Sequence, residues 1–536
     1  MRVNKSIHIL LIVLLITSFS SIIPLSSNNP VTTNTPIKHV VIIILENHAF
    51  DSIFGTYPFG YPPIVNNITL SLMRPVNYIY NLSLLKTLRE NDGNITWINV
   101  PAGYNKYLHP YYANSTVLKD PEEGYLIYHK DWDYGKMDGF INYSGPQSLA
   151  YISYEQVPLL WDYAEEYVLF DNYFSPTLSV TVPNRIAYIS GYPSIVENDS
   201  PLFDILQFNS TILYELTEYN ISWGWYEYGY SRDFQLLSPT LYLGYNNTAP
   251  LPVSVFKGAN NYNSHYYDLT DFIQQARNGS LPSVSFVMFT GPAGYDTHIP
   301  GFDMHPPYNT TLAMLALSLV INSIMEGKDW NSTAIFITFD EGGGYYDPVP
   351  PPIVQGYGIA NAPILSKIVK GYFTLGQRIP LLIISPYAKE GYIDNYTASS
   401  YSILAFIDYN WRIPYLNLIV KEFGPQAILN AFNFSQTPRK PIILTPLNWT
   451  YPIPLQYPIH YGYIATINNN YTIYDDIYHI LGMGNYTPPM PFLQANAYVT
   501  YNKMNNSFPL TPILLATVVI IGLVLWYIIW KGRRGR

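Results

Sequence analysis

Thr333–Phe339 (TAIFITF) shows no alternation of polar and apolar residues, and this stretch limits the possible folds more than any other in the chain. A strand with one wet face alternates; a strand buried on both faces does not, and such burial belongs to parallel sheets covered by helices. The run stops at Asp340 and Glu341, followed by Gly342, Gly343 and Gly344 and then a proline-rich turn. Open α/β sheets bind ligands outside the carboxyl ends of their strands, so two acids at that point mark a candidate site. Adjacent carboxylates repel one another unless a cation sits beside them. The glycines allow close backbone approach or a positive φ.

A second run of the same kind, Lys38–Leu45, ends at Glu46 and Asn47. Further strands are predicted at Tyr167–Phe170, Ile221–Glu227, Pro282–Thr290 and Pro380–Ser385. Helices are predicted over Tyr154–Tyr167, Tyr267–Arg277 and Thr310–Met325, with another opening at Ser402–Tyr409. This alternation predicts an α/β fold with a mainly parallel central sheet flanked by helices. Beyond about residue 420 the periodicity gives way to Pro, Asn and Tyr.

The 536 residues carry a net charge of −9 and only 12% charged residues, which argues against a nucleic-acid partner. With no cysteine, disulfides, thiolate metal sites and thiol nucleophiles are excluded. Arg2 and Lys5 precede an apolar run, Ile7–Ile16, and then small residues, the build of a signal peptide or N-terminal anchor over 1–28. Leu510–Trp530 is apolar enough to span a bilayer, and the basic tail 531–536 places that end in the cytoplasm. Between them lie many Asn-x-Ser/Thr sequons, including Asn81, Asn94, Asn209 and Asn395, as in an exported glycoprotein. The expected organisation is a catalytic domain over 37–420, a Tyr/Pro/Asn-rich region or stalk over 421–507, a transmembrane helix over 510–530 and an extracellular body on a single-pass anchor.

Parallel strands bring their carboxyl ends to one edge, so Glu46 and Asn47 are expected to meet Asp340 and Glu341 there. Carboxylates and an amide oxygen are hard ligands, suited to Ca²⁺, Mg²⁺ or Mn²⁺ and less well to Zn²⁺. A nucleophile is offered by Thr181 in TVPNR: Pro183 suits a first helical turn, and a helix start attracts phosphate. Arg185 could brace phosphate oxygens with its fork of donors. The commoner role of a threonine at such a place is a plain N-cap.

The segment ENHAFDSIFGTYP (46–58) resembles the ENRSFDHYFGT opening of the phospholipase C/acid phosphatase phosphoesterases, within the alkaline phosphatase-like superfamily. KMDGF (136–140), TVPNRIAYISG (181–191), GSLPSVSFV (279–287), HPP (305–307), FDEGGGYYDPVPPP (339–352) and RIPLLIISPYAK (378–389) resemble its later blocks, in order. The resemblance implies an alkaline phosphatase-like fold and a divalent metal ion held by Glu46, Asn47, Asp340 and Glu341. It also implies attack by Thr181 to give a phospho-enzyme, with His305 near the phosphate or leaving group as a general acid. The chain departs from the pattern where the family often has histidine. Glu123 stands at one such place, with His129 nearby, and Pro348 at another; His265 and Lys257 replace a histidine pair, and a further His is lost within Thr397–Ser400. His129 and His265 are the substrate-binding candidates. The expectation is a membrane-anchored extracellular phosphoric ester hydrolase acting on a phosphate ester or phospholipid; the alternative is a non-catalytic glycosylated surface protein on a decayed hydrolase scaffold.

Overall fold

A computed structural model describes residues 32–57, 110–194, 206–228, 251–289, 302–362 and 367–444, with short strand pairs near 64–69 and 100–108. The described residues of the body belong to one compact unit. The leader, the segment 510–530, the basic tail and most of 421–507 lie outside the described residues, as do Asn81 and Asn94. Among the described residues no helix is long and apolar enough to cross a membrane.

Eight strands form the central sheet: β1 (His39–Leu45), β2 (Val168–Phe170), β3 (Trp223–Glu227), β4 (Tyr266–Asp268), β5 (Val284–Met288), β6 (Thr333–Phe339), β7 (Leu381–Ile384) and β8 (Tyr392–Asp394). Their spatial order is β4-β3-β5-β1-β6-β7-β2-β8. Every pairing is parallel except those of β7, which runs against β6 and β2, so seven strands share one direction. From Val40 to Leu45 in β1 every side chain is 0–1% exposed. Successive side chains point to opposite faces, so this run requires that both faces of the sheet be covered.

The covering helices used below are α1 (Phe50–Phe54), α2 (Tyr125–Trp132), α3 (Pro158–Glu166), α4 (Thr181–Ser190), α5 (Leu269–Asn278), α6 (Thr310–Glu326) and α7 (Ser400–Trp411). Pro158 occupies the start of α3, where its missing N–H costs nothing. Helix α6 is buried over almost its whole circumference, packs on α5 and α3, and is capped by the Asn309 side chain, which accepts from the Thr311 N–H at 2.8 Å. Helix α7 packs on α4. The body continues past residue 420: Asn322 donates to the Leu444 carbonyl and Trp330 to that of Arg439.

Three differences between the sequence reading and the structure concern the strands. Edge strands β4 and β8, three residues each, are too short to give a period. A ribbon, Ile353–Ala362 against Lys367–Thr374, leaves the sheet after the proline run, and its base is closed by the Leu375 N–H on the Pro352 carbonyl at 3.0 Å. The third difference is the direction of β7, which hydrophobicity does not encode. Because β7 begins at the edge where its neighbours end, the residue pair before it, Gln377 and Arg378, is delivered to that edge.

Arg378 is fully buried there. It donates to both oxygens of Asp347 at 3.1 Å, to Asp51 at 2.7 Å and to the Asp171 carbonyl at 3.0 Å, and its guanidinium lies 4.4 Å from the Phe50 ring centre. Burial drives the Asp51 carboxyl up to about 8, against the pull of Arg378. Removing one partner from a buried ionic set leaves uncompensated charge, so Arg378→Met is expected to cost about 3–5 kcal/mol in denaturant unfolding. A carboxyl raised in the fold keeps its proton there. The cost should therefore be smaller at pH 5, where Asp51 is neutral, and grow as the pH passes 8.

Candidate active site

Leu45 is the register partner of Phe339, so β1 and β6 leave the sheet side by side, and the Asp340 N–H bonds the Leu45 carbonyl at 2.9 Å. Glu46 and Asp340 thus stand together at one edge, where they share Arg185. Arg185 Nη2 donates to Glu46 Oε1 at 2.5 Å and Nε to Asp340 Oδ2 at 3.2 Å, all three residues being buried. The reading of TVPNR pointed the Arg185 fork at a phosphate; the structure aims two of its donors at these carboxylates. Burial works against its charge, but Glu46 and Asp340 more than offset this and raise its pKa.

The backbone after each strand is bent to keep the tips close. Asn47 is fully buried with φ 61°, a left-handed conformation that asparagine tolerates better than most residues. Met304, beside His305, has φ 73°, and strain of this kind gathers at functional sites. The triple glycine answers to the same crowding. Gly343 has φ +62°, and a Cβ there would lie 2.5 Å from the Asn47 carbonyl oxygen. The close approach at Gly343 is to Asn47.

Helix α4 supplies Thr181. The N-cap is Val180 and makes no side-chain bond, so Thr181 is the first helical residue and not a plain cap. Asn184 holds the preceding loop: its Nδ2 donates to the carbonyls of Ser179 at 2.7 Å and Val180 at 3.0 Å, and its Oδ1 accepts from the Thr177 N–H at 2.9 Å. The rest of α4 is buried while Thr181 is half-exposed, and its side chain hydrogen-bonds the Asp340 carboxylate.

Other groups converge that the sequence did not single out. Asp303, buried, sends its carbonyl to the Glu46 N–H at 2.7 Å and its Oδ1 to the His305 N–H at 3.0 Å. Its position two residues before HPP was a usable signal. Tyr128 of α2 donates to Glu341 Oε1 at 3.1 Å, for which the sequence held no signal; the Gly343 N–H bonds the other oxygen at 2.7 Å. Asn47 Nδ2 donates to Glu123 and, at 2.8 Å, to His305 Nε2. His305 Nε2 also lies 3.9 Å from Glu46. Burial lowers the His305 pKa to about 4, so the ring is neutral at pH 7.

The two substrate-binding candidates are placed differently. His129 bonds the Tyr125 carbonyl of its own helix at 2.8 Å and lies tilted against the Tyr125 ring, while the preceding residue, Tyr128, is the one that reaches Glu341. His265 stacks on Trp223 and bonds its carbonyl at 2.9 Å. Trp223 is level with Val284 and Val40 at the start of their strands, so the structure puts His265 at the edge opposite the carboxylates.

The donor set fits a divalent cation. Glu46, Asp340 and Asp303 act on one guanidinium, Glu341 follows Asp340 in the chain, and the buried Asn47 Oδ1 has no hydrogen-bond partner. Burial, then Glu46, raises Asp340 to about 7 despite Arg185. A raised carboxyl lends stability that is complete below about pH 4 and is lost as pH rises through its folded value. Thermal unfolding in chelator should therefore show a melting temperature that falls between pH 5 and pH 8. A saturating divalent cation, which binds the ionised form, should shrink that fall. An unchanged slope would remove Asp340 from the ligand set.

A model of the phosphoesterase family matches residues 37–414. A non-hemolytic phospholipase C of Burkholderia pseudomallei is 25% identical over 76% of this chain, which spans 61% of that relative's length. Phospholipase C B of Mycobacterium tuberculosis is 26% identical over 75% of this chain and 79% of its own. Non-specific phospholipase C6 of Arabidopsis thaliana is 26% identical, covering 67% and 63% respectively. Among solved structures, an alkaline phosphatase superfamily protein from Vibrio parahaemolyticus matches 63% of this chain and 76% of its own, with 13% identity and a TM-score of 0.29. The fold rests on the sheet described above and not on that superposition. With the family match running from β1 through the helix after β8, the chain belongs to the phosphoesterase family.

Proposed function

We propose that the chain hydrolyses phosphoric esters of the phospholipase C or phosphomonoesterase type, with Thr181 as nucleophile. The observation that carries this reading is the half-exposed Thr181 hydroxyl held on Asp340 at the tip of an otherwise buried helix. In the first step Thr181 Oγ bonds phosphorus as the P–O bond to the leaving group breaks, and the hydroxyl proton passes toward Asp340. In the second, water attacks the phospho-threonine, frees Thr181 and releases the phosphate or phosphomonoester. The first helical turn of α4 presents N–H groups to the phosphoryl oxygens. Arg185 acts as a positioning residue that keeps Glu46 and Asp340 in register. His305, neutral at pH 7, donates from Nδ1 to the Pro306 carbonyl at 2.8 Å, which leaves Nε2 as an acceptor; an acid role there requires protonation first.

Glu46, Asn47, Asp340 and Glu341 are the residues that would hold a divalent metal ion, Ca²⁺, Mg²⁺, Mn²⁺ or Zn²⁺. When bound it would offset charge on the phosphoryl oxygens and lower the pKa of the threonine hydroxyl. The names of the relatives favour a phospholipid substrate. An apolar segment at 510–530 followed by a basic tail supports an extracellular body on a single-pass membrane anchor, with the leader at 1–28 directing export.

The test is turnover of p-nitrophenyl phosphorylcholine against p-nitrophenyl phosphate. Thr181→Ala should lower turnover about a thousandfold or more, and Thr181→Ser should keep a measurable part of it. Equal rates for Thr181→Ala and wild type would remove the nucleophile; no turnover by folded wild-type protein on either substrate would favour a non-catalytic scaffold.

A further inference from the structure

Asp120, Glu123 and His305 come from separate parts of the chain, and one ligand atom from each lies within 4.8 Å of the others. Asp120 and Glu123 precede α2, and His305 precedes α6, so two independent loops must be folded before the three can meet. Two further observations point to an ion at this meeting place. The first is the tautomer of His305. Its Nδ1 sits 2.8 Å from the Pro306 carbonyl oxygen, which can only accept, so Nδ1 carries the hydrogen and Nε2 keeps its lone pair on the side of Glu123 and Asn47. A backbone carbonyl fixing the far nitrogen of a ligating histidine is the usual support of an imidazole–metal bond. The second is Asn47. It is wholly buried, and its amide nitrogen spans Glu123 Oε1 and His305 Nε2, so one buried polar group already joins two of the three ligand atoms.

We propose that Asp120, Glu123 and His305 bind a second divalent cation, next to the one that Glu46, Asn47, Asp340 and Glu341 would hold, with the Asn47 amide between the two. The inference deepens the phosphoric-ester reading and rests on it only for the first cation. The two sites differ in chemistry. The Glu46 set offers oxygen alone, which suits Ca²⁺ and Mg²⁺. The His305 set offers two carboxylates and an imidazole, which suits Zn²⁺ or Mn²⁺ and is poor for Ca²⁺. Two cations flanking one phosphoryl group are a recurring arrangement for displacement at phosphorus.

The experiment counts metal bound to the full-length chain, by elemental mass spectrometry after gel filtration, following equilibration with Zn²⁺ or with Ca²⁺. The expected result is two Zn²⁺ per chain but one Ca²⁺. Glu123→Gln should lower the Zn²⁺ count to one and leave the Ca²⁺ count at one. Should that variant melt earlier than wild type in chelator, Asp120→Asn provides the same reading from the more exposed ligand. A wild-type Zn²⁺ count of one overturns the proposal, as does a count of two that Glu123→Gln and Asp120→Asn both leave unchanged. Thr181→Ala separates the two readings: full turnover in that variant defeats the proposed nucleophile whatever the metal count.

Discussion

The pairing of Leu45 with Phe339 is the contact on which the rest of the site depends. Two buried strands lie side by side in one direction, and the first polar residue after each is a carboxylate. A slip of one residue would send every side chain of β1 to the wrong face. Both faces are apolar, however, so facing alone cannot set the register here. The hydrogen bonds past the strand ends do that work: Asp340 to Leu45, Glu46 to Asp303 and His48 to Glu341. Arg185 then ties the two carboxylates from the third direction. The negative charge gathered at this edge is thus a product of the sheet's own order.

Much of this could be read from the residues. The strand runs at Lys38–Leu45 and Thr333–Phe339 were visible because burial on both faces removes the polar alternation that would disguise them as loops or helices. Their meeting at one edge followed from parallel packing. Thr181 at the head of a helix followed from the proline two residues on. The partner of Arg185 did not follow. A guanidinium near a candidate phosphate site reads equally well as a phosphate fork or a carboxylate brace, and only the three-dimensional path of α4 separates them. Histidines misled for a related reason. His265 stacks on Trp223 far along the sheet, and His129 turns back on its own helix, yet imidazole looks the same in sequence whether it packs or binds. Tyr128, Glu123 and Asp120 sit in stretches with no period to place them.

Two buried ionic sets share the functional edge and differ in purpose. Around Arg378, two aspartates, a backbone carbonyl and the Phe50 ring hold the guanidinium, and the set joins the segments after β1, after the triple glycine and before β7. Its Asp51 keeps one buried oxygen without a hydrogen bond. Around Arg185 the acids outnumber the cation, and Asn47 keeps an oxygen unused. An excess of acceptors in a buried place is costly unless something positive is added.

The reversed strand has a consequence for how this chain can vary. Since β7 enters from the functional edge, the ribbon between Pro352 and Leu375 departs from that edge and comes back to it, and a single backbone hydrogen bond closes its base. Such a loop can lengthen, shorten or be exchanged without moving Asp340 at one root or Arg378 at the other. It is therefore a place where the chain can change length while the residues at its two roots stay still.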